Sequence, residues 1–497
     1  MIRIYMVILG AMLSQYLSNA QVITIGATGD FSNLEAAESS VMPGDTLLLQ
    51  SQVFQDGTQF LTLNGTESKP IVIKAEVQHQ SIFRGGTEAI HLINCSHLIL
   101  DGLVIEQQTG NGINIDDGGD YSSPSKFITI RNCIFRDIAA TGNNDLLKMS
   151  GVDSFLIERC SFINGGSGGS GVDFVGCHWG TVQDCFFDHS GTSGIQNKGG
   201  TQFIRIQRNT FKNIAQRALN LGGSTGLQFF RPPLPDPIVE AFEAADLEVF
   251  SNVFIGCRAP VAFVGCIRAK VYHNTFYNPD NWVMRILQET TEPGFLPCGD
   301  NEFSNNIVHL ESDLTEVNIG SNTAPETFTF SHNLWYNRSS NTWSPNLPVT
   351  DANQLIADPQ FVDVSTENYR IPPSSPAVGT GLMVEEPTRD FDQNLFDQPP
   401  SRGAFEGSER ANQAHIEVDD GYIEVFPNPS SNTVKIEGNF ANATIQLLNI
   451  NGQVLQDYSN TNSPLIINIE DLPSGPIFIL IQCDLFEQLC LKKLIKI

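Results

Sequence analysis

Lys148, Asp173, Gln196 and Asn220 recur at intervals of 25, 23 and 24 residues, in the segments LLKMSG, GVDFVG, GIQNKGG and ALNLGG. Aligning the apolar residues Leu147, Val172, Ile195, Leu219 and Val261 puts these four and Ala262 in one outward column, which Arg285 of VMRILQ continues. Lys198 lies two residues beyond Gln196 on the same face, and Arg217 introduces the Asn220 strand. Cations, amides and one carboxylate on a single face suit an acidic polysaccharide. Arg or amide groups neutralise a uronate carboxylate, a Lys removes the adjacent proton, and a second group protonates the leaving oxygen in a β-elimination. In that scheme Lys148 or Lys198 is the base, Arg217 or Arg285 holds the carboxylate, and Asp173 orients them. Gln196 and Asn220 then bind the sugar, and a neighbouring cation is expected to lower the pKa of the base. The plainer alternative is an exposed polar column on a solvated sheet, in which Lys148 simply pairs with Asp173.

Such a column needs a repeating scaffold, and the repeats are visible. ITIRNCIF, LIERCSF, VQDCFF, RIQRNTF, EVFSNVF and VYHNTF share a register at Cys133, Cys160, Cys185, Asn209, Asn252 and Asn274. The spacings of 27, 25, 24, 43 and 22 residues fit one turn of a coil, with an insertion in the fourth interval. Two aligned strands per repeat, each alternating apolar and polar residues, predict an all-β fold, a right-handed parallel β-helix. Leucine-rich repeats are the main rival, and their leucine spacing is absent. Stacked rungs about 4.8 Å apart would pile Ile130, Ile157, Val182, Ile206, Val249 and Val271 into one inward column. Phe135, Phe162, Phe187, Phe211, Phe254 and Phe276 would form an aromatic one.

The whole chain of 497 residues carries a formal charge of −27, yet no Asp or Glu occurs between His189 and Pro235. That stretch holds Lys198, Arg205, Arg208, Lys212, Arg217 and Arg231. The register puts Arg208 one rung above Asp184 and Lys212 beside Asp188, which explains half of the run as cross-rung pairing. Lys198 and Arg217 are left as site candidates. The overall charge argues against nucleic acid and anionic membranes as partners, so an anionic ligand has to meet a local basic patch.

The insertion STGLQFFRPPLPDPIVEAFEAAD places Phe229, Phe230 and Arg231 before a proline cluster, where a loop can overhang the groove and stack on sugar rings. ETTEPGFLPCGD is a second irregular stretch expected to flank the same face. IDDGGDY, with Asp116, Asp117 and Asp120, offers calcium-type ligands without EF-hand spacing. Cys133, Cys160 and Cys185 occupy inward positions where a free thiol packs as a small apolar residue, whereas Cys483 and Cys490 are better placed for a hairpin bridge. The opening MIRIYMVILGAMLSQYLSNA, with Arg3, an apolar run and small residues at Ser18 and Ala20, is an export signal covering residues 1–20. No later segment reaches the ~20 apolar residues of a membrane span.

PGDTLLLQSQVFQDGTQFLTLNGTESKPIVIKAE and HLILDGLVIE resemble the opening rungs of the chondroitinase B and alginate lyase family of parallel β-helices, over about 90 residues. The resemblance implies uronate lyase chemistry with a Lys base, an Arg on a neighbouring rung and often a calcium ion. Lys148 approaches the position of that base. LKMSG stands where the family has Lys followed directly by Ser, and Phe174 and Val175 stand where its Arg would be. A galacturonan hydrolase, with three aspartates and a Gly-His-Gly motif, is the other β-helix enzyme to weigh. Here Asp116 and Asp117 lack those companions.

NYRIPPSSPAVGTGL and RDFDQNLFDQPPSRGAFEG resemble the closing segment of exported β-helix proteins, which sets the helix at 21–407. SERANQAHIEVDDG follows as a linker over 408–420. VFPNPSSNTVKIEG, ATIQLLNINGQVLQ, INIEDLPSGPIFILIQ and LKKLIKI resemble the C-terminal sorting domain of the type IX secretion system, over 421–497. Their alternating strands and Asn-Gly turn predict a small β-sandwich. That resemblance implies the secretion machinery as partner, transport across the outer membrane, and release or surface attachment. A non-catalytic glycan-binding or adhesin-like protein is the alternative to an enzyme, since fold alone does not fix activity.

Overall fold

The structure, a computed structural model, describes residues 20–407 apart from 56 and 385–388, together with 423–426, 432–438, 443–449, 453–473, 475–482 and 489–496. Residues 1–19 of the expected export signal, the 408–420 linker and Cys483 of the expected Cys483–Cys490 bridge fall outside those described. The chain divides into two compact units, residues 1–408 and 409–497.

The first unit is a right-handed parallel β-helix. Each turn of the coil gives one strand to each of three parallel sheets, as Val152–Glu158, Ser161–Ile163 and Ser170–Val175 do in one turn. We call these the first, second and third sheets. Ile130, Ile157, Val182, Ile206, Val249 and Val271 stack in register, fully buried, along the first sheet. The aromatic column runs up the second, where the rings of Phe162, Phe187, Phe211, Phe254 and Phe276 lie 4.7 to 5.0 Å apart and nearly parallel. Identical side chains at a rung spacing of about 4.8 Å meet face to face, so each repeat buries its neighbour's ring as well as its own.

The Cys/Asn column turns inward as expected. Cys133, Cys160 and Cys185 are buried free thiols. Above them the buried amides of Asn209, Asn252, Asn274, Asn306 and Asn333 form a ladder in which each Nδ2 donates to the next Oδ1 at 3.0 to 3.1 Å. A buried amide is tolerated only when its donors and acceptors are satisfied, and a ladder of identical residues satisfies them rung by rung.

The acid-free stretch has a fuller structural explanation than cross-rung register alone provides. Arg208 pairs with Asp184 at 2.8 Å as expected. Lys212 sits opposite Asp188 in register, but its ammonium reaches Glu367 of the closing segment at 2.5 Å, while Asp188 meets His189 instead. Arg205 pairs with Glu248, Arg217 with Glu289, Arg231 with Asp153 and Lys198 with Asp173. Every cation of the run therefore has a carboxylate from elsewhere in the coil, Lys198 and Arg217 included. The missing acids are supplied by other turns.

The second unit, taken by itself, holds a three-stranded antiparallel sheet (Ile423–Phe426, Thr433–Gly438, Leu465–Asn468) and a four-stranded one (Val454–Thr461, Ala443–Leu448, Gly475–Gln482, Leu489–Lys496). Ile436, Ile445, Leu447, Ile467, Ile479 and Leu494 meet in its core. Alternation of buried and half-buried residues along Ala443–Leu448 is what a sheet with one covered face requires.

Candidate functional site

The expected outward column forms on the third sheet. Lys148 pairs in register with Asp173, Asp173 with Gln196, Gln196 with Asn220, Asn220 with Ala262, and Ala262 with Arg285. It extends backwards through Asn114 to His91. The strand holding Lys148 ends at Gly151, whose φ is +65° and where a Cβ would fall 2.3 Å from an Asp117 carboxylate oxygen. Only glycine fits that turn.

At the centre, the Lys148 and Lys198 ammonium groups converge on one oxygen, Oδ2 of Asp173. Lys198 stands 3.2 Å from it, and Lys148 forms a short contact with it. Lys148 also lies 3.5 Å from Asp145 Oδ2. Both carboxylates are fully buried, and both lysines are largely so. Burial pushes the Lys148 ammonium down, but Asp173 and then Asp145 more than reverse this, so the net direction is up. That overturns the lowering expected from a neighbouring cation: the two carboxylates beneath Lys148 decide the sign.

Asp145 carries the converse cost. Burial, and next the Asp173 charge, push it from 3.8 to about 6 despite Lys148 and the Ser170 amide. A carboxyl whose pKa is raised on folding binds its proton more tightly in the folded state. Its contribution to stability is therefore complete below about pH 4, is lost as pH rises to about 6, and changes no further above that. At most about 3 kcal/mol is involved. Asp145→Asn keeps an acceptor for the Ser170 amide and cannot ionise, so its melting temperature relative to wild type is expected to rise between about pH 4 and pH 6 and then level off. A pH-independent difference would remove Asp145 as the titrating group.

A cleft of about 780 Å³ opens over this centre. Lys148 and Lys198 lie on one side, with Asn114, His91, Tyr121, Phe229 and Arg231 among the other lining residues. The insertion builds one wall. Tyr121 donates its hydroxyl hydrogen to the Gln228 carbonyl at 2.5 Å, and Arg231 grips both Asp153 oxygens at 2.5 and 2.6 Å. Glu243, wholly buried, anchors the returning chain by accepting from the Gly199 and Thr225 amides and from the Thr225 and Thr290 hydroxyls. Thr290 belongs to the second irregular stretch, which also brings Phe295 edge-on to Phe230.

The structure divides the sequence candidates. Lys148, Lys198 and Asp173 meet, and Phe229, half exposed, overhangs them. Phe230 does not stack on sugar as expected: it is buried at 1% exposure against Phe295. Arg231 lines the cleft with its guanidinium already committed to Asp153, His178 and the Gly176 carbonyl, so it is a clamp for the loop. Arg217 and Arg285 stand further along the sheet, outside the lining of this cleft. Arg217 binds Glu289 and Asn220, while Arg285 stacks on Trp282 and donates to Asn318. Gln196 follows Asp173 in the column and does not line the cleft.

His91, Asn114 and Asp145 were missed. IHLI and INID stand in register with LKMS, so the first two were legible by continuing the alignment two rungs back. Asp145, three residues before Lys148, lies outside any strand and carries no repeat signal.

Calcium does not fit the expected acidic turn. Asp116 accepts from the Gly118 amide and His91, Asp117 from the Gly119 amide, and Asp120 from Ser122. Those bonds commit Asp116 to His91 and its own turn and Asp120 to Ser122, and among the described residues no group of three or more His, Cys, Asp or Glu side chains gathers to hold a metal. Asp116 and Asp117 both line the cleft, Asp116 bonded to His91.

The profile of a right-handed β-helix region matches residues 88–231, and that of a secretion system C-terminal sorting domain matches residues 424–496. The chain is thus an exported β-helix protein, secreted or held at the cell surface through the type IX system. No curated protein matches the chain. Among solved structures it is similar to a pectate lyase, at 14% identity and TM-score 0.49 over 79% of this chain and 97% of that one. It is similar to the PL6 family polysaccharide lyase from Pseudopedobacter saltans, at 16% identity and TM-score 0.43, over 68% and 93%. An alginate lyase from Paenibacillus sp. str. FPU-7 follows at 14% identity and TM-score 0.40, over 68% and 98%. Among the described residues no helix is long and apolar enough to cross a membrane.

Proposed function

We propose that the protein binds an acidic polysaccharide in the lysine cleft and cleaves it by β-elimination. The observation that carries this reading is the convergence of Lys148 and Lys198 on one buried carboxylate oxygen beneath an open cleft. Lys148, held as a cation by Asp173 and Asp145, suits the neutralisation of a substrate carboxylate. Lys198, which meets only Asp173 of these two acids, is then the base, acting as the neutral amine once its ammonium has released a proton to water. It takes the proton from the carbon beside the carboxylate. The electron pair left behind forms a double bond to the next carbon as the glycosidic bond there breaks, and the departing oxygen receives a proton from water in the open cleft.

A binding-only role is the second reading, favoured by the salt links that both lysines make in the free protein. Incubating the full-length protein with alginate, chondroitin, heparinoids and pectate, with ultraviolet absorbance as readout, separates the two, because only elimination creates a conjugated unsaturated uronate. A time-dependent rise on one substrate is the expected result. Salt-sensitive binding with no rise on any of them would sink the elimination and leave a docking cleft.

A further inference from the structure

The first sheet carries side chains that neither the core nor the lysine cleft uses. The strand pairs that flank them put His97, Phe127, Ser154, Trp179 and Phe203 in one column on successive rungs. His97 and Phe127 stack at 4.4 Å between centroids, and Trp179 and Phe203 at 5.8 Å with their planes 11° apart.

Backbone conformation makes this column unusual. Phe127, Trp179 and Phe203 have φ of 57°, 54° and 59°, in the left-handed region that bulky side chains avoid. Among the described residues, every other non-glycine residue with positive φ is polar, as at Asn132, Asp184, Asn213 and Ser251. The three aromatic exceptions all fall in this column. They are also about half exposed, so burial does not compensate for the strain. Apart from stacking on their neighbours in the column, these solvent-facing rings gain nothing that offsets the strain, which points to a ligand as the missing contact.

Trp179 and Phe203 form one wall of a cleft of about 450 Å³. Its lining includes Gly180, where a Cβ would sit 2.0 Å from the buried Phe155 ring, so that ring fills the core position of this rung in place of a side chain. Across from the rings, Arg205 pairs with Glu248 at 2.8 Å and Arg268 with Asp246 at 2.7 Å, with Lys270 alongside. Each arginine on this wall is bonded to an acid, and Lys270 stands in register between Glu248 and Glu302, so every charge here has an opposite one beside it. What remains is a set of fixed hydrogen-bond donors and acceptors facing apolar rings. That combination matches the two sides of a neutral sugar, hydroxyls on the rim of the ring and C–H groups on its faces.

We infer that the Trp179–Phe203 cleft is a second glycan-binding site, one that takes a neutral oligosaccharide by aromatic stacking and holds no catalytic group. The inference stands whether or not the lysine cleft performs elimination. Titration of the full-length protein with cellohexaose, mannohexaose and xylohexaose, followed by tryptophan fluorescence and calorimetry, tests it. At least one is expected to bind and shift the emission, with Trp179→Ala and Phe203→Ala each weakening it about tenfold, Trp179→Phe retaining most of the affinity, and uronate product formation unchanged. No binding of any of the three, or wild-type affinity in both alanine variants, overturns the site. So does a concentration-dependent dimer in ultracentrifugation that disappears in Trp179→Ala, because the column would then be a face for a second copy.

Discussion

Lys198→Ala is expected to lower kcat for uronate product formation on the order of 10² to 10⁴-fold, the usual worth of a general base, while polysaccharide affinity changes only a few-fold. Lys148→Ala should behave differently. It removes a cation that meets the substrate carboxylate in the ground state and holds it more strongly as charge builds in the transition state, so KM rises together with a fall in kcat. The asymmetry comes from the acids beneath the two lysines. Lys148 is held by Asp173 and Asp145, whereas Lys198 has Asp173 at 3.2 Å. Steady-state kinetics with direct binding measurements on both variants decide the matter. If Lys198→Ala keeps near-wild-type turnover while Lys148→Ala is inert, the roles are reversed. If both keep turnover, the chemistry lies elsewhere. Both side chains are largely buried, so a thermal melt of each variant has to accompany the kinetics.

The column that brings these lysines together was legible because β-helix register is carried by repetition. Once the Cys/Asn and Phe positions are aligned, the two-residue period of a strand fixes which face every other residue takes, and Lys148, Asp173, Gln196, Asn220 and Arg285 follow. What the repeat does not encode is where a long side chain ends. Lys212 was placed beside Asp188 correctly by its Cα, yet its ammonium bonds to Glu367 in the closing segment, 155 residues on. Arg217 and Arg231 likewise meet Glu289 and Asp153 through irregular stretches that obey no period. The direction of the Lys148 shift was misjudged because Asp173, its neighbour in the column, outweighs the nearby cation, and Asp145, in a loop outside the repeat, adds to it. The Trp179 column escaped notice because in Ser125–Arg131 and Thr201–Gln207 a residue in left-handed conformation puts two outward positions side by side, so Phe127 and Phe203 fall out of strict alternation.

Arg231→Ala is expected to cost on the order of 3–5 kcal/mol at neutral pH, because it leaves the largely buried Asp153 carboxylate without its main counter-ion. Burial alone would raise the Asp153 pKa, but its hydrogen bonds with Arg231 and then His178 overturn that, and the net direction is down. A depressed carboxylate contributes stability above its ordinary unfolded value and loses it as pH falls toward the folded one. The penalty of Arg231→Ala should therefore shrink in acid. Its local consequence is larger than its global one. The guanidinium ties the insertion to Gly176, His178 and the Tyr121 carbonyl at once, so without it the wall bearing Phe229 loses its hold on the coil. Limited proteolysis is expected to cut the variant between residues 223 and 246 well before the wild type, with a matching loss of polysaccharide affinity. The double variant Arg231→Ala/Asp153→Ala should recover part of the lost stability, since it no longer buries a lone charge. Equal stability of the single and double variants, with the loop still protected, would mean that Glu243 and its hydroxyl partners hold the cleft wall without the ion pair.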